Sequence, residues 1–265
     1  MKVSRRILMA AATVALMAAA SPAQADLKMG VAAEPYAPFT SKDASGAWVG
    51  WEIDFMNAVC AEIGEKCAVE EVAWDGIIPA LTSKKFDAIM SSMSVTPERM
   101  KTISFSDIYY NSAAVIIGPK SDDKDFSPEH LSGKNVGVQV STTHSRYLDK
   151  YYTPKGALVK TYATQDEANA DLAAGRLDYV MADGVALDAF LQSEQGVACC
   201  EQKGAVPIDV EILGAGTGFG IRQEDTKLLA KLNAGIKAMA DKGEFKAITE
   251  KWKLTGKIVT PPNLQ

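Results

Sequence analysis

The sequence predicts an α/β protein of two similar units facing one cleft, on three observations. Apolar runs of strand length alternate with helix-length segments from Leu27 onward, the order of a mostly parallel sheet. Two stretches repeat each other: residues 80–90, ALTSKKFDAIM, and residues 171–181, DLAAGRLDYVM. Each reads as a helix end, a basic turn, an Asp, and an apolar strand ending in Met. Polar residues follow both strands, Ser91 and Ser92 after the first and Asp183 after the second. Ligands bind at such strand ends in open α/β sheets.

The first residues read as a leader rather than as fold. Lys2, Arg5 and Arg6 precede an apolar run from Ile7 to Ala20, and Ala23-Gln24-Ala25 resembles a cleavage site, as in a secretory signal peptide over residues 1–25. The run is short for a membrane span, so the mature chain is expected to begin at Asp26. The whole chain carries 28 basic and 33 acidic residues. Without the three basic residues of the leader, 25 basic residues face 33 acidic ones, a net charge of −8. That balance argues against nucleic acid as a partner.

Leu27 to Ala33 reads as the first strand, and the two prolines of residues 34–39 make a rigid loop after it. Gly46 marks a hairpin turn ahead of Trp48-Val49-Gly50-Trp51. From Asp54 to Gly64 the residues Phe55, Ala58, Val59 and Ile63 share a helical face. Cys67 to Ala73 is the next strand. Ile77, Ile78, Ala80 and Leu81 give a second helical face, and Phe86 to Met90 a strand buried on both sides. Thr96-Pro97-Glu98-Arg99 has the form of a helix start: Thr at the cap, Pro at the first position, Glu in the first turn.

The second half repeats this order. Ala113 to Ile117 is a strand closed by Gly118-Pro119, and residues 120–124 form a charged loop. Val136 to Val140 is a buried strand, followed by Ser141-Thr142-Thr143 and a helix to about Tyr151. Gly184 to Gln192 reads as a helix that Asp183 could cap. The glycine-rich residues 214–220 lack the Lys of a phosphate loop and suit a crossing between the two units. Helices are expected over Thr226–Asp241 and Glu244–Trp252.

The chemistry these residues suggest is anion capture. Unpaired amides at a helix N-terminus attract a carboxylate or phosphate, and Arg99 in that first turn can add a planar two-point bond. Ser91, Ser92 and Ser94, and likewise Ser141, Thr142 and Thr143, supply hydroxyls that donate or accept. The chain holds four cysteines, Cys60, Cys67, Cys199 and Cys200. An exported protein with an even count invites pairing, and Cys60–Cys67 would join a helix end to the next strand. A bond between the neighbours Cys199 and Cys200 is strained and uncommon. His130 and His144 are the only two histidines and no zinc-like spacing surrounds them, so neither a metal nor another cofactor is expected. His144 reads as a solvated helix residue, and no Ser-His-Asp or Cys-His pattern points to catalysis.

Taken together the motifs resemble family 3 of the bacterial periplasmic solute-binding proteins, the amino-acid and opine receptors of ABC importers. The resemblance rests on residues 36–39 (YAPF), 50–54 (GWEID), 74–79 (WDGIIP), 87–89 (DAI), Ser94-Val95-Thr96 with Arg99, 136–139 (VGVQ), Ser141-Thr142, 175–178 (GRLD), and 218–222 (GFGIR) with Asp225. It implies the two-lobed, type II periplasmic-binding-protein fold with two hinge strands. The expected division is a first lobe over residues 26–112, a second over 113–212, and a return to the first over 213–265.

The resemblance also implies roles. Arg99, Ser94 and Thr142 match positions that hold a ligand α-carboxylate, and Asp183 with Ser92 matches the α-ammonium site. Tyr36 and Trp74 match aromatics that sandwich the ligand side chain, and Cys60–Cys67 matches the disulfide of the basic amino-acid receptors. Those receptors carry an acidic residue where this chain has Ala33, with Glu34 one position later. The implied protein is a periplasmic monomer that captures a polar, cationic amino acid or opine and hands it to an ABC transporter permease. The competing expectation is an enzyme on the same fold resembling cyclohexadienyl dehydratases, which needs a positioned general acid in the cleft.

Overall fold

The computed structural model describes residues 26–122 and 125–261. The leader expected over residues 1–25 and part of the loop over 120–124 lie outside them. In chain order the elements are β1 (Leu27–Ala32), β2 (Ser41–Lys42), β3 (Trp48–Val49), α1 (Trp51–Glu62), β4 (Cys67–Val72), α2 (Ile77–Thr82), β5 (Ala88–Ile89), α3 (Pro97–Met100) and β6 (Ser104–Phe105). Next come β7 (Ala114–Pro119), β8 (Asn135–Gln139), α4 (Thr143–Tyr151), β9 (Leu158–Tyr162), α5 (Gln165–Ala173), β10 (Tyr179–Asp183), α6 (Gly184–Leu191), α7 (Glu194–Cys199), β11 (Cys200–Ala205) and α8 (Val210–Leu213). The chain ends on β12 (Gly220–Ile221), α9 (Thr226–Asp241) and α10 (Glu244–Lys251).

These elements build two lobes, each on a five-stranded sheet ordered β4-β1-β5-β12-β6 in one and β11-β7-β10-β8-β9 in the other. The two-lobed α/β fold is the expected one, but the sheets are mixed rather than mostly parallel. β12 runs antiparallel to both β5 and β6, and β7 antiparallel to both β10 and β11. The strand–helix alternation specifies only the parallel pairs. The antiparallel pairs come from strands that enter a sheet after the chain has crossed between lobes. β7 also extends through Gly118-Pro119, which the sequence read as its end.

The sequence repeat has a physical counterpart. Asp87, just before β5, accepts the amide of Lys28 at 2.9 Å. Asp178, just before β10, accepts the amide of Asn135 at 2.7 Å. Each carboxylate thus ties the start of a neighbouring parallel strand to its own. The residue ahead of each Asp is buried over a glycine of that neighbour. A Cβ on Gly30 would lie 2.4 Å from the Phe86 ring, and one on Gly137 2.3 Å from the Leu177 side chain. Both central strands are buried on two faces: Ala88 and Ile89 enter different apolar clusters, as do Val180 and Met181.

Helix α1 begins at Trp51, three residues before the expected Asp54. Its opening amides are satisfied by the proline loop rather than by a side-chain cap: Trp51 donates to the Pro38 carbonyl at 2.9 Å and Glu52 to that of Phe39 at 3.1 Å. Gly50 makes this close approach possible, with φ at 141° and a Cβ position only 2.0 Å from the Phe39 oxygen. Trp51 is fully buried among Phe39, Phe55, Tyr109, Tyr110 and Phe245.

The glycine-rich run supplies one of two crossing segments. Tyr109 donates to the Thr217 carbonyl at 2.9 Å and Thr217 to that of Tyr110 at 2.7 Å. Gly214 (φ 88°) and Gly216 (φ 140°) pass so close to Val95 and Ile108 that a Cβ would fall 2.5 and 2.6 Å from them. The lobes also meet at Val185, which leaves α6 to pack in the core of the first lobe. Cys60 is bonded to Cys67, and Cys199 is bonded to its neighbour Cys200, a pairing the sequence read as uncommon. Among the described residues no helix is long and apolar enough to cross a membrane.

Candidate functional site

The carboxyl ends of β1, β5, β8 and β10 converge on one cavity between the lobes. It encloses about 530 Å³ of empty space, a figure that includes its opening to solvent. Glu34, Tyr36, Trp74, Ser91, Ser92, Ser94 and Arg99 line it from the first lobe. Gln139, Thr142, Thr143, His144, Gln165 and Asp183 line it from the second. Ser141 does not: its side chain is exposed, and only its carbonyl turns inward, 3.5 Å from Arg99 Nη2.

Arg99 is held from three sides. Its amide is capped by the Thr96 hydroxyl at 3.2 Å, as the Thr-Pro-Glu-Arg sequence anticipates. Nη1 donates to the Ser94 carbonyl at 2.9 Å, and the guanidinium lies 5.4 Å from the centre of the Trp74 ring. Trp74 therefore stacks on Arg99, a contact the sandwich role did not include. The Trp74 indole N–H is buried with no hydrogen-bond partner among the described residues. Burial, with Arg146 nearby, pulls the guanidinium down to about 10 while Asp183 opposes the shift. Arg99 thus stays charged at neutral pH, nine-tenths buried and short of a counter-ion, which is a costly state unless an anion arrives.

Asp183 faces Arg99 from the other lobe. Tyr36 Oη donates to its Oδ2 at 2.8 Å across the cleft, and its Oδ1 lies 3.5 Å from His144 Nε2. Although Asp183 immediately precedes α6, in the capping position, its side chain caps no helix amide. Burial first, then the Asp183 charge, holds the Tyr36 hydroxyl well above its ordinary range, so it remains a donor.

The serines divide. Ser91 accepts the Ala32 amide at 3.0 Å and so ties β5 to β1. Ser92 has a left-handed backbone, φ 48°, and is gripped from behind by the buried Glu52. Thr142 caps α4, accepting the Ser145 amide at 3.1 Å and donating to the Gln139 carbonyl at 2.8 Å. The first free amides of that helix open beside Arg99, a suitable seat for an anion. Glu34, not Ala33, lines the wall. Ala33 donates its amide to the Val72 carbonyl at 2.9 Å and is exposed, which turns Glu34 inward. Glu34 accepts the Trp74 amide at 3.2 Å.

His144 corrects the sequence reading: it is 6% exposed and part of the cavity wall, because the turn at Ser141 directs the first turn of α4 at the cleft. Gln139 and Gln165 were missed as well. Gln139 ends β8 and could have been marked by that position; nothing local distinguishes Gln165. Among the described residues no group of three His, Cys, Asp or Glu side chains could hold a metal.

Residues 27–255 match the model of the bacterial extracellular solute-binding proteins, family 3. The chain is 38% identical over 218 residues to an L-arginine-binding protein of Pseudomonas aeruginosa, covering 82% of this chain and 84% of that one. It is 36% identical over 227 residues to a histidine-binding periplasmic protein of Salmonella typhimurium, covering 85% and 87%. Its structure is similar to that of an ancestral arginine-binding protein bound to arginine, with a TM-score of 0.80 and 32% identity over 86% of this chain and 98% of the other.

Proposed function

The chain belongs to the bacterial extracellular solute-binding proteins of family 3, and from that premise we propose that it captures a cationic amino acid, arginine or a close analogue, in the periplasm and delivers it to an ABC transporter permease. The observation that carries this is the pairing of Arg99 and Asp183 on opposite walls of one cavity. An amino acid is one carboxylate and one ammonium a fixed distance apart. Arg99 and the α4 amides suit the carboxylate; Asp183 and Ser92 suit the ammonium. Because each end is held by residues of both lobes, the ligand bridges them and favours the closed state, as any ligand favours the state that it binds better. Glu34 supports a cationic side chain, since a carboxylate in the wall is best satisfied by a charged donor.

No bond is made or broken in this function. A dehydratase would need a positioned general acid at the cleft, whereas Asp183 is held by Tyr36 and is committed to the ligand ammonium. Calorimetry with arginine, lysine, ornithine, histidine, octopine and glutamate tests the proposal. A basic ligand should bind tightly, and incubation with prephenate or arogenate should yield no product. Product formation, or binding of no amino acid, would refute it.

A further inference from the structure

We propose that Glu52, a residue behind the cavity wall, fixes Ser92 as a hydrogen-bond acceptor and so makes one end of the cavity selective for an ammonium group. The inference rests on the amino-acid reading given above. Glu52 lies on the first turn of α1 and is fully buried. Both of its oxygens accept the Ser92 amide at 2.9 Å, and Oε2 also accepts the Ser92 hydroxyl at 2.8 Å. Tyr109, beside the crossing segments, donates to Oε1 at 2.5 Å.

The chemistry follows from the donor count. A carboxylate facing three donors can only accept, so the Ser92 hydroxyl must spend its single proton on Glu52. What Ser92 then offers the cavity is lone pairs. A ligand ammonium can donate to them, whereas a ligand carboxylate meets two acceptors and is turned toward Arg99. Ser92 is held in this pose by its left-handed backbone, which the double hydrogen bond from its amide to Glu52 stabilises. The titratable groups around Glu52 are Tyr109, Tyr110 and Asp183, and among the described residues no cation is paired with it. Burial pushes its carboxyl up, the bonds from Tyr109 and Ser92 oppose this, and Asp183 adds to the push. An ammonium bound between Asp183 and Ser92 would relieve both carboxylates. Glu52 is therefore a positioning residue, acting on the ligand through Ser92.

Glu52→Gln keeps the shape but places an amide N–H behind Ser92, which lets the Ser92 hydroxyl turn its proton into the cavity. The probes are arginine and 5-guanidinopentanoate, the same molecule without its α-amino group, titrated calorimetrically. Glu52→Gln should weaken arginine by roughly tenfold or more, the scale of one charge-assisted hydrogen bond, and shift the analogue by less than about twofold. Glu52→Asp, which keeps the charge, should restore much of the difference. Equal losses for both probes, or none, would overturn the inference and leave Glu52 a structural residue. A second measurement needs no variant: in wild-type protein labelled with carbon-13 at glutamate carboxyls, the Glu52 signal should titrate at lower pH with arginine bound than with the analogue. Identical titrations would overturn the inference. A wild-type protein that fails to prefer arginine to the analogue would instead overturn the amino-acid reading itself.

Discussion

Tyr36 and Asp183 belong to different lobes, and a 2.8 Å hydrogen bond joins them across the cleft. The same carboxylate is the proposed partner of the ligand ammonium, so the bond that closes the cleft and the bond that holds the ligand share one acceptor. Tyr36→Phe should retain the aromatic surface and lose only the bridge. Arginine binding should weaken by about 1.5–3 kcal/mol, the range for a hydrogen bond to a charged group. Small-angle scattering should show the variant more open than wild type without ligand. An unchanged affinity and an unchanged scattering profile would show that the bridge contributes nothing to closure.

Arg99→Lys tests the carboxylate end. Lysine keeps the charge but loses the planar fork, together with the bond to the Ser94 carbonyl and the stack on Trp74. Affinity for arginine should fall by roughly 1.5–3 kcal/mol. Calorimetry that finds wild-type affinity would remove Arg99 from the site.

Asp183→Ala separates two roles that the sequence leaves open, because alanine can neither cap a helix nor pair with an ammonium. A helix cap lost to a poor substitute costs about 1 kcal/mol of stability, but the Asp183 side chain caps no amide of α6. The ligand-free melting temperature should therefore change little, while amino-acid binding weakens by more than about tenfold. A lower melting temperature with normal binding would reverse the assignment.

How far the site is legible in the sequence depends on what each residue relies on. Thr96, Arg99 and Thr142 are marked by local helix-start chemistry, and the structure gives them that geometry. Asp87 and Asp178 stand out through the repeat, because both lobes solve the same strand-pairing problem in the same way. Glu52 carries no such mark. It sits in what reads as the entry to an amphipathic helix, and only the placement of Gly50 against Phe39 shows that α1 starts early enough to bury it behind Ser92. His144 and Gln165 likewise acquire their place from the docking of whole elements. The antiparallel strands escaped for the same reason, since pairing across a lobe crossing leaves no periodic trace.

The Cys60–Cys67 bond closes a short loop between α1 and β4. In the chain-entropy account, a loop of this length restricts the unfolded state by about 2–3 kcal/mol. Replacing both cysteines by serine should lower the urea-unfolding free energy by about that amount and leave arginine affinity unchanged, because neither residue lines the cavity. Unfolding that is indifferent to the replacement would show that the constraint is already present in the unfolded chain.

The identity of the ligand's side chain turns on Glu34. Its carboxylate lines the wall and accepts one weakly placed amide, that of Trp74, which leaves most of its acceptor capacity unused. Gln139 and Gln165 are buried in the same wall and can donate or accept, so they do not decide the charge of the guest. Glu34 does: an anionic side chain beside it would be repelled, while a guanidinium could bond it through two N–H groups. In competition binding, arginine, ornithine and octopine should displace a bound probe at lower concentration than glutamate or glutamine. Glu34→Gln should narrow the gap between arginine and glutamine by roughly 1.5–3 kcal/mol, the value of a hydrogen bond to a charged group. If glutamine already competes better than arginine in the wild-type protein, Glu34 is no cation site, and the grip of Arg99 and Asp183 on the amino-acid backbone stands without it.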